Sequence, residues 1–294
     1  MSEAATERVR SFNRVVVQAV GALHDHYLSR GVPLGEARVL WEIGPEGCDV
    51  RTLRARLDLD SGYLSRLLRS LETAGLVTVV ATVEDGRVRR ATLTRAGRRE
   101  RELLDRGSDE LARSFLEPLR DRDRERLVAA MGEVERLLTA GLVRMDVVDP
   151  ESPAAEHCLA QYYSVLAERF EGGFDHAVSM AATPDQLRPP TGLFLVATLR
   201  SEPLGCGALK FHGDEPAELK RMWVAESARG LGIGRRLLAE LEALAVENGV
   251  RTVHLETNRN LVEAIGLYRS AGYVEVEPFN DEPYAHHWFE KRLG

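Results

Sequence analysis

The sequence has few cysteines, no long apolar run, and no lysine in its first 141 residues. The three cysteines, Cys48, Cys158 and Cys206, are scattered and odd in number. That speaks against a disulfide framework or a zinc site and suits a reducing, cytoplasmic setting. Each reads as a small apolar residue. The longest apolar stretches, such as Leu193–Leu199, are too short to span a bilayer. The opening MSEAATERVR has no apolar segment behind its charges, so no secretory signal is expected. At 294 residues two domains are the natural expectation, and 44% apolar content is ordinary for a soluble globular protein.

The net charge of −7 is unevenly spread. Residues 1–141 hold 24 Arg against 23 acids, whereas residues 142–294 hold 15 bases against 23 acids. Within 51–99 there are 11 Arg and 5 acids. A basic patch inside an acidic chain is the footprint of a nucleic-acid contact, or else a solvated face of an Arg-rich protein.

Apolar spacing predicts a long helix over 3–30, with Val9, Phe12, Val16, Ala19, Leu23 and Tyr27 on one face. Helices are expected at 34–43, 50–57 and 61–74, the last capped by Asp60 or Ser61 and closed by Gly75. Strands at 76–82 and 88–93 flank Glu84-Asp85-Gly86, a hairpin signal. Two more helices run over 95–117 and 121–140. Near 142 the pattern changes to strands at 142–148, 193–199, 204–211, 217–224, 250–257, 273–278 and 286–293. Helices at 154–170, 232–248 and 260–271 separate them. The fold class is therefore a mainly α module over 1–141 followed by an α/β module over 142–294 with a mixed, mainly antiparallel sheet.

The order helix, short helix, longer helix, hairpin is that of a winged helix-turn-helix, whose second motif helix enters the DNA major groove. On helix 61–74 the leucine stripe turns inward and leaves Ser61, Tyr63, Ser65, Arg66 and Arg69 outside. Arg66 is the base-reading candidate, and Ser65 and Arg69 are phosphate contacts; the competing reading is a plain solvated helix face. The segment DSGYLSRLLRSLETAGLV (60–77) with EDGRVRRATLTRAGR (84–98) resembles the MarR family of bacterial transcription regulators. The resemblance covers about 1–141. It implies double-stranded DNA as partner and a homodimer held by the first and the last two helices. It also implies Arg87 at the wing tip in a minor groove, braced by Asp85. His24 and His26 read as ordinary helix residues.

In the second module, AELKRMWVAESARGLGIGRRLLAELEALAVEN (217–248) runs from a strand through Arg-x-x-Gly-x-Gly into an amphipathic helix. Free first-turn N–H groups and the helix dipole bind anions, and glycines let a pyrophosphate approach the backbone. Alone, such a loop could also be a Rossmann-type turn or a simple glycine cluster. No doubly wound pattern surrounds it and no Gly-Lys-Ser/Thr follows it. Together with VHLETN and AIGLYRSAGY (253–273) it resembles the GNAT family of N-acetyltransferases over about 142–294.

That resemblance implies acetyl-CoA, with Met222, Trp223 and Val224 along the pantetheine arm. Arg229, Gly230, Gly232, Ile233, Gly234 and Arg235 would sit at the pyrophosphate. It implies direct attack of an amine on a thioester, with Tyr268 as general acid, Val224 N–H as oxyanion donor and Glu218 as base; Glu256 competes for the last role. The other readings are a packed core tyrosine and a strand-edge carboxylate. Where the family often has an Asn seven residues before the tyrosine, this chain has Leu261, with Asn258 and Asn260 as the nearby substitutes. Pocket walls are expected from Tyr162, Tyr163, Phe170 and Phe174, and from Phe279, Tyr284, His286, His287 and Trp288. No metal is called for. The expected acceptor is a small amine or amino acid, with a protein lysine as the alternative.

Three functions compete: a bifunctional acetyltransferase and DNA-binding regulator, a regulator whose second module only senses acetyl-CoA or an amine, and an enzyme with a dimerisation scaffold.

Overall fold

Ser2 opens the first helix by accepting from the Ala5 N–H at 3.3 Å, and α1 then runs Glu3–Ala19. The computed structural model describes every residue except 1, 22–27, 29–30, 82–87, 176–177, 181 and 214. The predicted helix over 3–30 therefore ends early. Gly21 takes φ +66°, a left-handed conformation that closes a helix and that side chains resist. Leu23, His24, His26 and Tyr27 lie outside the described residues, as do Glu84, Asp85, Gly86 and Arg87. Two compact units follow, Met1–Met131 and Gly132–Gly294.

In the first unit, α2 (Leu34–Ile43), α3 (Val50–Leu57) and α4 (Ser61–Thr73) pack on a three-stranded sheet. Asp60 caps α4, accepting from the Tyr63 N–H at 2.8 Å. The sheet order is β1 (Cys48–Asp49), β3 (Arg89–Leu93), β2 (Val77–Ala81). The two-residue β1 leaves no period in the sequence; only its pairing to β3 reveals it. Leu40, Ile43, Leu53, Leu64, Leu68 and Leu71 form the core. The predicted apolar stripe of α1 is real but uncovered within the chain: Val9, Phe12 and Val16 are exposed. Helix α5 spans Arg95–Leu116, and α6 spans Asp121–Leu142.

In the second unit a seven-stranded sheet has the order β4-β5-β6-β7-β8-β10-β9. The strands are β4 (Arg144–Val148), β5 (Gly192–Leu199), β6 (Glu202–His212), β7 (Glu215–Val224), β8 (Thr252–Thr257), β9 (Val274–Val276) and β10 (His287–Arg292). The expected strand start at 142 gives way to two further helical residues. Arg236 explains them: its guanidinium donates to the Ala140 carbonyl and, at 3.0 Å, to that of Val143, satisfying the open end of α6.

Every strand pair is antiparallel except β7–β8. Strand alternation sends Phe194, Val196, Cys206 and Ala208 to one core and Leu193, Leu195, Ala197 and Leu209 to another. Helix α7 (Pro153–Arg169) packs on the first; α8 (Ile233–Glu247) and α9 (Val262–Ser270) pack on the second.

Candidate functional site

β7 and β8 run side by side for only two residues, Ala217 opposite Val253 and Glu218 opposite His254. Beyond them the strands part, and the β8-facing edge of β7 has no strand partner among the described residues. A cleft of about 850 Å³ opens there. Its walls are Met222, Trp223 and Val224 on β7, the Arg229–Arg235 turn, and Gly266, Leu267 and Tyr268 on α9.

The turn is built for an anion. Gly230 (φ +79°) and Gly232 (φ +74°) both sit in the left-handed region that glycine alone occupies without strain. Gly232 is the N-cap of α8 and no side chain caps that helix, so its first amides are unspent. Arg229 and Arg235 line the same space. The turn is held from behind: Arg136 donates to the Gly230 carbonyl at 2.7 Å. These residues fit a CoA pyrophosphate.

A second cavity, about 110 Å³, adjoins the cleft. The two share Tyr162, Leu166, Met222, Leu261, Ala264 and Tyr268. Its far wall is a ring cluster. Tyr163 stacks on Phe174 at 5.8 Å, Phe170 lies 5.5 Å from Tyr284, and Phe174 lies 4.9 Å from Tyr284. Its charged lining residues are Lys220, Arg221, Glu256 and Glu282.

Lys220 bridges two carboxylates, Glu256 at 2.5 Å and Glu218 at 2.7 Å. Burial opposes the Lys220 charge, but Glu256 and Glu218 outweigh it and hold the ammonium above its ordinary range. Burial likewise opposes the Glu218 carboxylate, and Lys220, His212 and Lys210 outweigh it, keeping Glu218 below the usual carboxylate range. Tyr268 is pushed up by burial and by the nearby Glu256 carboxylate, so its phenol keeps its proton.

In the first unit, Ser61, Tyr63, Arg66 and Arg69 are exposed on α4 and Ser65 is half-buried. The Arg66 guanidinium lies 5.6 Å from the centre of the Tyr63 ring. These residues share one open helix face.

Comparison with known proteins follows the same division. Residues 190–275 match the family model described as acetyltransferase (GNAT) domain, and residues 30–88 match that of the MarR family. One stretch of the chain thus matches the MarR family model and a later one the GNAT acetyltransferase model. Over 99 residues the GNAT region is 39% identical to an IAA acetyltransferase of Azospirillum brasilense, covering 33% of this chain and 63% of that protein. An N-acetyltransferase of Schizosaccharomyces pombe is 36% identical over 99 residues, covering 32% of this chain and 60% of the relative. The chain thus spans about three fifths of these two relatives. One of Chlorobaculum tepidum is 28% identical over 129 residues, 42% of this chain and 80% of the relative. Among solved structures, a GNAT-family acetyltransferase of Staphylococcus aureus is 18% identical, covers 51% of this chain and 100% of its own, and has a TM-score of 0.44.

In the second unit, Met222, Trp223, Val224, Arg229, Gly230, Gly232, Ile233, Gly234 and Arg235 all line the cleft. Asn260 does not. Its side-chain amide donates to the Arg169 carbonyl, and Leu261 beside it faces both cavities instead. Glu218 lines neither cavity. It is bound to Lys220 and, at 2.8 Å, to His212, while Glu256 reaches the cavity. Of the aromatic residues expected as walls, Tyr162, Tyr163, Phe170, Phe174 and Tyr284 are there. Phe279 stacks on His254, His287 pairs with Glu275, Trp288 donates to Asn280, and neither they nor His286 line the cavity. Sequence reasoning missed Arg221 and Glu282. Both owe their place to irregular backbone, a bulge and a loop, which leaves no periodic signal.

Proposed function

We propose that the chain is an acetyl-CoA-dependent N-acetyltransferase acting on a small amine or amino acid, fused to a DNA-binding, dimer-forming regulator module. The observation that carries the reading is Tyr268, the buried phenol common to the cofactor cleft and the smaller cavity. The acceptor occupies the smaller cavity and the acyl donor the larger.

Acetyl-CoA supplies the thioester carbonyl. The uncapped start of α8, with Arg229 and Arg235, holds the pyrophosphate. The free edge of β7 at Met222–Val224 bonds the arm, and the Val224 N–H faces the carbonyl oxygen as charge builds on it. Glu256, rather than Glu218, receives the amine proton, directly or through water. The amine lone pair forms the new C–N bond, the C–S bond breaks toward sulfur, and Tyr268 gives the departing sulfur its proton. Glu218 holds Lys220 in place behind Glu256.

The module boundary is proposed at 141/142, one residue before the end of α6. Arg66 reads a base edge while Ser61, Tyr63, Ser65 and Arg69 meet the sugar–phosphate backbone. Arg87 is assigned to the minor groove, and the exposed stripe of α1 to a second copy of the chain. Acetyl-CoA and DNA as ligands put the protein in the cytoplasm. Among the described residues no helix is long and apolar enough to cross a membrane.

The test is release of free CoA from acetyl-CoA across a panel of small amines and amino acids. Release with at least one acceptor is expected. Tight acetyl-CoA binding without turnover of any acceptor would replace catalysis with sensing.

A further inference from the structure

The smaller cavity is not simply apolar, and its charges do not cancel in place. Lys220 is paired with Glu256 at the cavity and with Glu218 behind it. Arg221 and Glu282 have no ion-pair partner among the described residues. Glu282 accepts from the Met180 N–H at 2.7 Å, the Ser179 hydroxyl at 3.1 Å and the Tyr284 N–H at 3.3 Å, all neutral donors. One Arg221 nitrogen donates at 2.5 Å to the neutral Ala182 carbonyl, and the guanidinium lies 5.9 Å from the centre of the Tyr163 ring. Five N–H donors with one carbonyl served leave the rest of the fork for a ligand.

The backbone turns Arg221 toward this space. In the β6–β7 pairing, Cys206 faces Trp223 and Ala208 faces Lys220, so Arg221 and Met222 together oppose Gly207. Arg221 is the bulged residue, at φ +58°. The bulge breaks the alternation: Leu219 belongs to the core cluster under α8, Met222 packs against it, and both only border the cavity, while the adjacent Lys220 and Arg221, neither in that cluster, both line it. Bulges recur where a strand must re-aim a side chain beside a site.

A cation and an anion, each lacking a counter-charge, in one cavity walled by aromatic rings are complementary to a small zwitterion with an apolar body. The cavity of about 110 Å³ shares six lining residues with the larger cleft, so an amino acid need not be enclosed in it whole. Resting on the acetyltransferase reading, we propose that the acceptor is a free amino acid with an apolar side chain. Its carboxylate is held by the Arg221 fork and its ammonium is drawn in by Glu282. Its side chain lies against Tyr163, Phe174 and Tyr284. The nitrogen, once deprotonated, takes the acetyl group. The products are the N-acetyl amino acid, which keeps its carboxylate charge on Arg221, and CoA thiol.

The experiment compares matched acceptors with the full chain: phenylalanine against phenethylamine, leucine against isoamylamine, and each amino acid against its methyl ester. CoA release is scored per neutral amine. The free acids should exceed the decarboxylated amines and the esters by about 100-fold or more in kcat/KM, because a site built to bond a polar group rejects analogues that lack it. Arg221→Gln should erase that ratio by lowering kcat/KM far more for the free acids than for phenethylamine, with the acetyl-CoA KM as the check that the cofactor cleft persists. Equal or better use of the decarboxylated amines by the unaltered protein overturns the amino-acid assignment while leaving the acetyltransferase reading intact. Equal losses on both members of each pair in Arg221→Gln would also overturn it. No CoA release with any acceptor overturns the underlying reading and this inference with it.

Discussion

Lys220 Nζ stands 2.5 Å from Glu256 Oε1, and the same ammonium, about 10% exposed, also reaches Glu218. Removing it strands two largely buried carboxylates. Lys220→Met should therefore cost about 3 kcal/mol of stability, in the range for a broken buried pair. The pH dependence has a defined window. The depressed Glu218 contributes stability above its unfolded pKa of about 4.3, lost as pH falls through its lower folded value. The raised Lys220 contributes below about 10.4, lost as pH rises through its higher folded value. The gap in melting temperature between the parent and Lys220→Met should be widest from neutral pH to about 10 and shrink as pH falls, first as the variant's stranded carboxylates, raised by burial, take up protons. A constant gap down to pH 3 would contradict the assignment.

Tyr268→Phe removes only a hydroxyl from a packed ring. It should lower kcat by about 100-fold or more, the usual worth of a positioned acid, with the acetyl-CoA KM nearly unchanged. Steady-state rates decide this; an unaltered kcat leaves Tyr268 as a core residue.

Gly234 separates packing from binding. A methyl group there would meet Leu267 at 3.5 Å and Val224 at 3.6 Å, ordinary contacts, yet both neighbours line the cleft. Gly234→Ala should keep or slightly raise the melting temperature, by up to about 1 kcal/mol of helix propensity, while acetyl-CoA binds about tenfold more weakly by calorimetry. Undiminished affinity would move the cofactor elsewhere.

Val9, Phe12 and Val15 are exposed on α1, and Val128 and Met131 are exposed on α6. Phe12→Asp should convert a dimer to a monomer in sedimentation equilibrium. A monomeric parent protein would leave their exposure unexplained by self-association.

Arg66→Ala should weaken binding to the chain's own upstream DNA by about 1–3 kcal/mol and relax sequence preference; Arg69→Ala should weaken all sequences alike and reduce the salt slope by about one. Fluorescence anisotropy over a salt series distinguishes the two, and identical effects on specific and random DNA would remove Arg66 from base reading.

Much of the site could be read in the sequence because its signals are local. The glycine turn and the helix after it are contiguous, and Tyr268 follows at a fixed remove in its own helical pattern. Their place beside one cleft needed only the order of elements. Arg221 was illegible for the opposite reason: period-two alternation in β7 assigns it to the wrong face, and only pairing with β6 exposes the extra residue. Glu218 and Glu256 look alike as strand carboxylates. What separates them is their surroundings: Glu218 meets His212 on the next strand and Lys220 on its own, while Glu256 meets Lys220 across the sheet and the open cavity. The end of α6 depends on Arg236, about a hundred residues away in sequence, beyond the reach of any local rule.

The brief contact between β7 and β8 has a consequence for the protein's lifetime. The sheet is two blocks, β4–β7 and β8–β10, joined edge to edge by two residue pairs. A ligand that bonds the free edge of β7 acts as a missing suture between the blocks, and binding to the folded state alone stabilises it by RT ln(1 + [L]/Kd). Resistance to proteolysis should then rise and fall with the acyl-CoA pool, so that abundance of the chain becomes a readout of metabolic state without any dedicated sensor.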